Sequence, residues 1–278
     1  MSAILDALTS LVPDDTPVVW ALVAMAGGVI VTGLAKSGFG GGVGILAVPL
    51  LAVALDASVA VGVMLPILIA ADIVAVVQHR RHVSSYHLRW SLVGGAVGIA
   101  LGSALLWWFQ GRGDGGNDAL KTVLNLTVGG TCLVLVGLQA YRGLGGRVPR
   151  IPRSRTAASS SGGLAGFVST LAHAAGPIMT VYILDQGLAK RAVVGTLVFY
   201  FFCVNLGKLP TFVGLELIDW STLAASAALI PLVPLGSWIG LRLNERVPER
   251  PFVQVMYAGA AAAGVWLVVK EIGGLVGA

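Results

Sequence analysis

The feature that most limits what this chain can become is a succession of apolar runs, each close to twenty residues, with little polar chain between them. Six lie at residues 57–77, 90–109, 120–141, 192–209, 220–241 and 252–269. A helix rises about 1.5 Å per residue, so roughly 20 apolar residues cross the ~30 Å hydrocarbon core of a bilayer. Charged residues make up only 11% of the 278 residues, where a soluble domain carries about 25%. What lies outside the runs is too short for a separate soluble domain. The 38 glycines fit membrane helices, which use them to bring backbones close. Residues 1–10 lack the positive start of a cleavable signal peptide, so the first apolar stretch is expected to stay in the mature protein.

The net charge of +5 is explained by topology rather than by nucleic acid, because the basic residues occupy short loops between apolar runs. Placing the linker at 142–155 in the cytoplasm and counting spans puts the loops at 80–89, 190–191 and 242–250 on the same side. Only Arg112, Lys121 and Lys270 fall in loops on the other side, where the acidic lead, Glu216 and Asp219 also fall. This asymmetry obeys the positive-inside rule and places both termini outside. His79, His82 and His87 fall in the basic inner loop and read as solvated or at the headgroups. Trp20, Trp90, Trp107, Trp108 and Trp220 stand near span ends, as aromatic belts do. Cys132 and Cys203 lie inside apolar runs and read as small buried hydrophobes.

Two shorter apolar pieces are interrupted. In the first, legs at 18–35 and 45–55 flank the break Gly38-Phe39-Gly40-Gly41-Gly42-Val43-Gly44. In the second, legs at 157–171 and 178–188 flank His173-Ala174-Ala175-Gly176-Pro177. The legs of the second piece, about 12–15 residues, span only roughly 18–22 Å as helix, so a re-entrant hairpin with its tip near mid-membrane is expected there, and the first piece is expected to dip in from the other side. The halves also match at an offset of 133 residues: Gly33 with Gly166, Ile45 with Ile178, Leu55 with Leu188, Gly62 with Gly195. Leu101-Gly102-Ser103 matches Leu235-Gly236-Ser237 one residue later. The expected fold is therefore an all-α polytopic membrane protein with an inverted-topology repeat. Residues 1–141 form the first repeat, with its hairpin at about 18–55; 142–156 form the basic cytoplasmic linker. Residues 157–278 form the second repeat, with its hairpin at about 157–188. Each repeat is one broken hairpin plus three spans, and an odd number of spans turns the second half upside down.

The polar residues left in apolar surroundings are the candidate site. The first break exposes backbone N–H groups at Ser37, Gly38, Gly40, Gly41 and Gly42. A helix starting after it would aim its positive end into the break, and such nests bind anions. Lys36 adds a formal charge about one turn away; a buried lysine costs about 2.5–3.5 kcal/mol at mid-membrane, against which stands a snorkelling lysine beside packing glycines. In the second break His173 either hydrogen-bonds an anion, carries a proton or is a satisfied packing residue, and Gly176 offers backbone beside Pro177. Asp72 and its repeat partner Asn205 are polar at corresponding depth; Asp72 takes up protons, balances a lysine or makes a structural hydrogen bond. Lys208 stands one turn after Asn205 on the same face. Its place just before Pro210, near the outer end of the span, favours snorkelling over a site role. Asp185 is expected at the interface or paired with Lys190. No metal-ligand spacing, nucleotide loop or cofactor motif is present.

Three segments resemble the sulfite exporter TauE/SafE family, also called the toluene-sulfonate uptake permease family. They are Gly33-Leu-Ala-Lys-Ser-Gly-Phe-Gly-Gly-Gly-Val-Gly-Ile-Leu-Ala-Val-Pro-Leu-Leu51, Gly163-Leu-Ala-Gly-Phe-Val-Ser-Thr-Leu-Ala-His-Ala-Ala-Gly-Pro177 and Asn205-Leu-Gly-Lys-Leu-Pro210. The similarity runs over about 18–269. It implies movement of small sulfur-containing anions, such as sulfite or organosulfonates, across a bacterial inner membrane. The expectation is a secondary transporter, with protonation of Asp72 or His173 coupling it to a proton gradient. An anion channel built on the same hairpins is the alternative. An intramembrane enzyme using His173 with Ser169 or Thr170 is the third reading, and the chain is expected not to be an enzyme. The expected partners are a small anion and the bilayer; the Gly/Ala-rich helix faces suit a homodimer as well as packing within one chain. No cofactor, metal or nucleic acid is expected.

Overall fold

The computed structural model describes residues 8–14, 16–36, 46–111, 116–144, 150–246 and 249–277, some by backbone alone, Lys36 among them. Among the described residues all regular structure is helical. The order is α1 (Val18–Lys36), α2 (Ala47–Ala54), α3 (Ala57–His79), α4 (Ser85–Gln110), α5 (Gly116–Gly143), α6 (Arg155–Ala172), α7 (Ala175–Leu184), α8 (Lys190–Gly214), α9 (Trp220–Leu229), α10 (Leu232–Arg246) and α11 (Glu249–Gly277). Five helices are long and apolar enough to cross a membrane: Ala57–Val77 of α3, α4, Asp118–Tyr141 of α5, α8 and Gln254–Gly273 of α11. Large apolar side chains such as Val74, Val97, Leu101, Val134 and Trp266 point outward, where lipid would cover them. The architecture is that of an all-helical membrane protein.

One expected span is corrected. Residues 220–241 do not form a continuous helix: α9 ends at Leu229, α10 begins at Leu232, and the axes turn by 42° between them. Pro231 sits in the junction, lacks an N–H and disfavours helical backbone at Ile230 before it. Counted together, the two pieces make a sixth span. The start of α9 is secured by Asp219, whose Oδ1 accepts the Thr222 N–H at 2.7 Å while Thr222 Oγ1 accepts the Asp219 N–H at 2.8 Å.

Small residues decide which helices meet. Along α4, Gly94 lies on Ser159, Gly98 on Gly163 and Gly102 on Thr170, so α4 and α6 touch backbone to backbone. Gly33 of α1 does the same against Val233, Gly236 and Ser237 of α10. Helices α5 and α11 meet at Gly129 and Gly264, and Glu271 of α11 accepts from Thr122 and, at 2.9 Å, from Asn125. Helices α3 and α8 cross in the interior. Gly62, early in α3, lies on Leu217 just beyond α8; Gly195, early in α8, lies on His82 just beyond α3. A Cβ at either glycine would strike a carbonyl oxygen. The start of each helix is thus beside the end of the other, and the two run antiparallel.

Three further expectations change. His87 is not solvated: α4 starts at Ser85, five residues before the expected span, which carries His87 inside, fully buried, with Nδ1 2.8 Å from the Tyr182 hydroxyl. Asp185 binds the linker rather than Lys190, its Oδ2 accepting the Ile151 N–H at 3.0 Å. Lys208 does not snorkel. Helix α8 continues through Pro210 to Gly214, which leaves Lys208 well inside the helix and 0% exposed. Cys132 is buried as expected, Cys203 is half-buried, and both are free thiols.

Candidate functional site

Helix α6 is closed at its start by Ser154, whose Oγ accepts the Ala157 N–H at 3.0 Å. It ends at Ala172 because His173 adopts left-handed backbone, φ 51° and ψ 24°, while its N–H still reaches the Ser169 carbonyl. A non-glycine residue there is uncommon. The turn sends the chain back as α7, whose first residues are Ala175, Gly176 and Pro177. Pro177 falls in the first turn, where its missing N–H leaves no helical bond unmade.

The imidazole of His173 is thereby inserted between α3 and α8. Its Nε2 lies 2.9 Å from the Val61 carbonyl of α3, and its Nδ1 lies 2.7 Å from Lys208 Nζ of α8. The ring also stands 5.6 Å from that of Phe212. Lys208 donates to the Ser169 carbonyl and to Ser169 Oγ, both at 3.0 Å, and its ammonium is 5.8 Å from the Phe212 ring. A carbonyl only accepts, so Nε2 carries a proton and donates; Nδ1, facing an ammonium, is the acceptor. With Lys208 charged, these contacts place a neutral imidazole beside it. Both ring nitrogens are committed and neither binds Ser169 Oγ, so the Ser169–His173 pair has no nucleophile–base geometry.

One turn before Lys208 on α8, Asn205 Nδ2 donates to Asp72 Oδ2 of α3 at 2.7 Å. Asp72 is fully buried and Asn205 nearly so. The two positions that the repeat offset equates thus touch each other directly. A carboxylate and an ammonium inside a membrane protein are each costly unless hydrogen-bonded, and here each has named partners.

Of the expected site residues, His173, Asn205, Lys208 and Asp72 therefore gather around the α3–α8 crossing and the second break, with Gly176 in the first turn of α7. The side chain of Lys36, with Ser37, Gly38, Gly40, Gly41 and Gly42, lies outside the described residues; Lys36 is the last residue of α1. Sequence reasoning missed Ser169, Phe212 and the Val61 carbonyl as partners of the lysine–histidine pair. Ser169 stands four residues before His173 and Phe212 four after Lys208, one helical turn in each case. That spacing was readable, but it acquires meaning only once Lys208 is known to point inward. Among the described residues no group of three or more His, Cys, Asp or Glu is close enough to hold a metal ion.

The family model described as Sulfite exporter TauE/SafE matches residues 24–267, nearly the whole chain and all of this site. The chain belongs to the TauE/SafE sulfite exporter family. It is a multi-pass membrane protein of a transporter family, and its buried polar cluster lies within the segment that defines membership. No curated protein and no solved structure matches the chain.

Proposed function

We propose that this TauE/SafE protein is a secondary transporter of small sulfur-containing anions, sulfite or an organosulfonate, in the bacterial inner membrane with both termini outside. Its two halves, 1–141 and 157–278 joined by the cytoplasmic linker 142–156, are inverted repeats whose broken hairpins flank one anion site. The observation that carries the reading is Lys208: a fully buried ammonium in a membrane helix, held by the neutral acceptors Ser169 O, Ser169 Oγ and His173 Nδ1. A positive charge held inside a membrane helix, beside the second break, is the feature an anion site needs. The antiparallel crossing of α3 and α8, with Asp72 on Asn205 at the equated positions, supports the inverted repeat. Lys36, Ser37, Gly38, Gly40, Gly41 and Gly42 of the first break, with His173, Gly176, Asn205 and Lys208, form the binding set. Proton coupling runs through Asp72 or His173.

The test is flux into proteoliposomes with sulfite, sulfate, thiosulfate, sulfoacetate, methanesulfonate, taurine and chloride. Wild type moves a sulfur oxyanion or sulfonate saturably and faster when the same anion is present on the far side, behaviour that a channel lacks. Lys208→Met lowers that flux by about 100-fold, the scale of losing a charged hydrogen-bonded contact of ~3 kcal/mol. Lys36→Met also lowers it. Undiminished flux in Lys208→Met sinks the site, and absence of flux for every anion sinks the function.

A further inference from the structure

We infer that anion binding and protonation of His173 are one linked event: a bound anion draws the Lys208 ammonium away from Nδ1, and that nitrogen then takes up a proton from water. The inference rests on the reading of Lys208 as the anion's counter-charge and adds what couples transport to protons. Its basis is geometric. His173 has two ring nitrogens and two partners of opposite kind, a carbonyl acceptor at Nε2 and an ammonium donor at Nδ1. While Lys208 occupies Nδ1, a second ring proton would put N–H against N–H between two like charges at 2.7 Å. The contact as it stands therefore excludes an imidazolium beside a charged Lys208. Lys208 in turn has Ser169 O, Ser169 Oγ and His173 Nδ1 among its partners. An anion that hydrogen-bonds to this ammonium must replace one of those partners, and release from Nδ1 is the replacement that creates new binding capacity. The anion then lies between an ammonium and an imidazolium and screens them from each other, while Nε2 keeps its bond to Val61. The proton adds to the Nδ1 lone pair and nothing else is made or broken.

The other groups around His173 sharpen the assignment. From α8 come Lys208 and the apolar ring of Phe212; from α6 comes Ser169; from α3 comes the Val61 carbonyl, with Asp72 further along α3 bonded to Asn205. Asp72 is thus the competing proton acceptor. Linkage is reciprocal, so if the anion promotes proton uptake, low pH tightens the anion. Coupling of one proton to a monovalent anion makes the transported pair electroneutral.

The experiment is calorimetry of methanesulfonate binding to the purified full chain in two buffers of different ionisation enthalpy. Methanesulfonate keeps its charge across the pH range and brings no proton of its own; sulfite, corrected for its own protonation, serves if methanesulfonate does not bind. The expected result is uptake of close to one proton per anion at about pH 7, and an apparent Kd that tightens up to tenfold per pH unit on acidification. His173→Asn suits the left-handed backbone but cannot titrate; it binds more weakly, with no proton uptake and a flat pH profile. Asp72→Asn retains the uptake. Binding by wild type without proton uptake overturns the linkage, as does loss of uptake in Asp72→Asn. Wild type and Asp72→Asn decide the matter even where His173→Asn does not fold. If no anion binds or moves at all, the anion-site reading itself falls.

Discussion

The two interrupted apolar pieces, α1 with α2 and α6 with α7, pack alike and carry different polar residues. In both, the first leg is held by small residues against a helix of the other half: Gly33 of α1 on Gly236 of α10, Gly162 and Gly166 of α6 on Ser91 and Gly95 of α4. In both halves the next helix carries a glycine early in its course against the loop beyond its partner helix, Gly62 or Gly195. The polar residues do not follow this symmetry. The offset of 133 residues sets Lys36 opposite Ser169, Gly40 opposite His173 and Ala75 opposite Lys208. The second half places its lysine on the span and a hydroxyl on the hairpin; the first half has its lysine on the hairpin and an alanine on the span. Backbone approach tolerates only small residues, so both halves retain them. The charge at a binding site is needed at a point, and either element can supply it.

That contrast can be broken at its strongest shared feature. Gly62→Val and Gly195→Val each push a side chain into a backbone carbonyl that cannot swing aside. Each should cost about 3 kcal/mol or more. In detergent, both variants should lose most of the monodisperse protein and melt well below wild type, by similar amounts. A large effect at one glycine and none at the other would show that the halves do not share this packing.

A smaller effect tests the point where the halves meet. Asn205→Asp sets a second carboxylate against Asp72 and should destabilise by about 2–3 kcal/mol. Asp72→Asn retains a hydrogen-bonding amide pair and should cost about 1 kcal/mol or less. The double variant Asp72→Asn with Asn205→Asp restores one carboxylate and one amide. It should recover most of the loss, with a coupling energy above about 1 kcal/mol in a melting cycle. Additive losses would mean that the 2.7 Å contact between them is not formed in the folded protein.

The smallest effect sharpens the comparison at a matched pair that has diverged. Ser103 bonds Thr211 Oγ1 at 2.7 Å, whereas Ser237 donates to the Gly33 carbonyl at 3.2 Å. Ser103→Ala leaves a second hydroxyl without its partner and should lower stability by about 1 kcal/mol, while Ser237→Ala should cost about half of that. Equal losses would remove this distinction between the halves.

Much of the fold was legible because a bilayer admits few solutions. Apolar runs of span length with short polar loops between them suffice to identify a polytopic helical membrane protein. The interruption in residues 220–241 escaped notice because Pro231 and Pro234 sit among apolar residues whose hydropathy is unbroken. His87 was misjudged because three histidines and two arginines in ten residues read as a loop, although the helix takes up the last of those histidines. Asp72 and Asn205 were found by the sequence offset, which pairs position 72 with 205, and the two side chains meet.

By itself, the sequence determined that the chain is a helical membrane protein and resembles its family. Those properties follow from hydropathy, glycine and proline, which act locally. The direction of Lys208 was decided only by the tertiary structure. One turn of helix beyond Pro210 moves the residue from the expected membrane edge to the interior. There the left-handed turn at His173 presents Ser169 and an imidazole nitrogen to its ammonium. A lysine's role depends on which partners meet its charge, and here those partners stand 35 and 39 residues away along the chain.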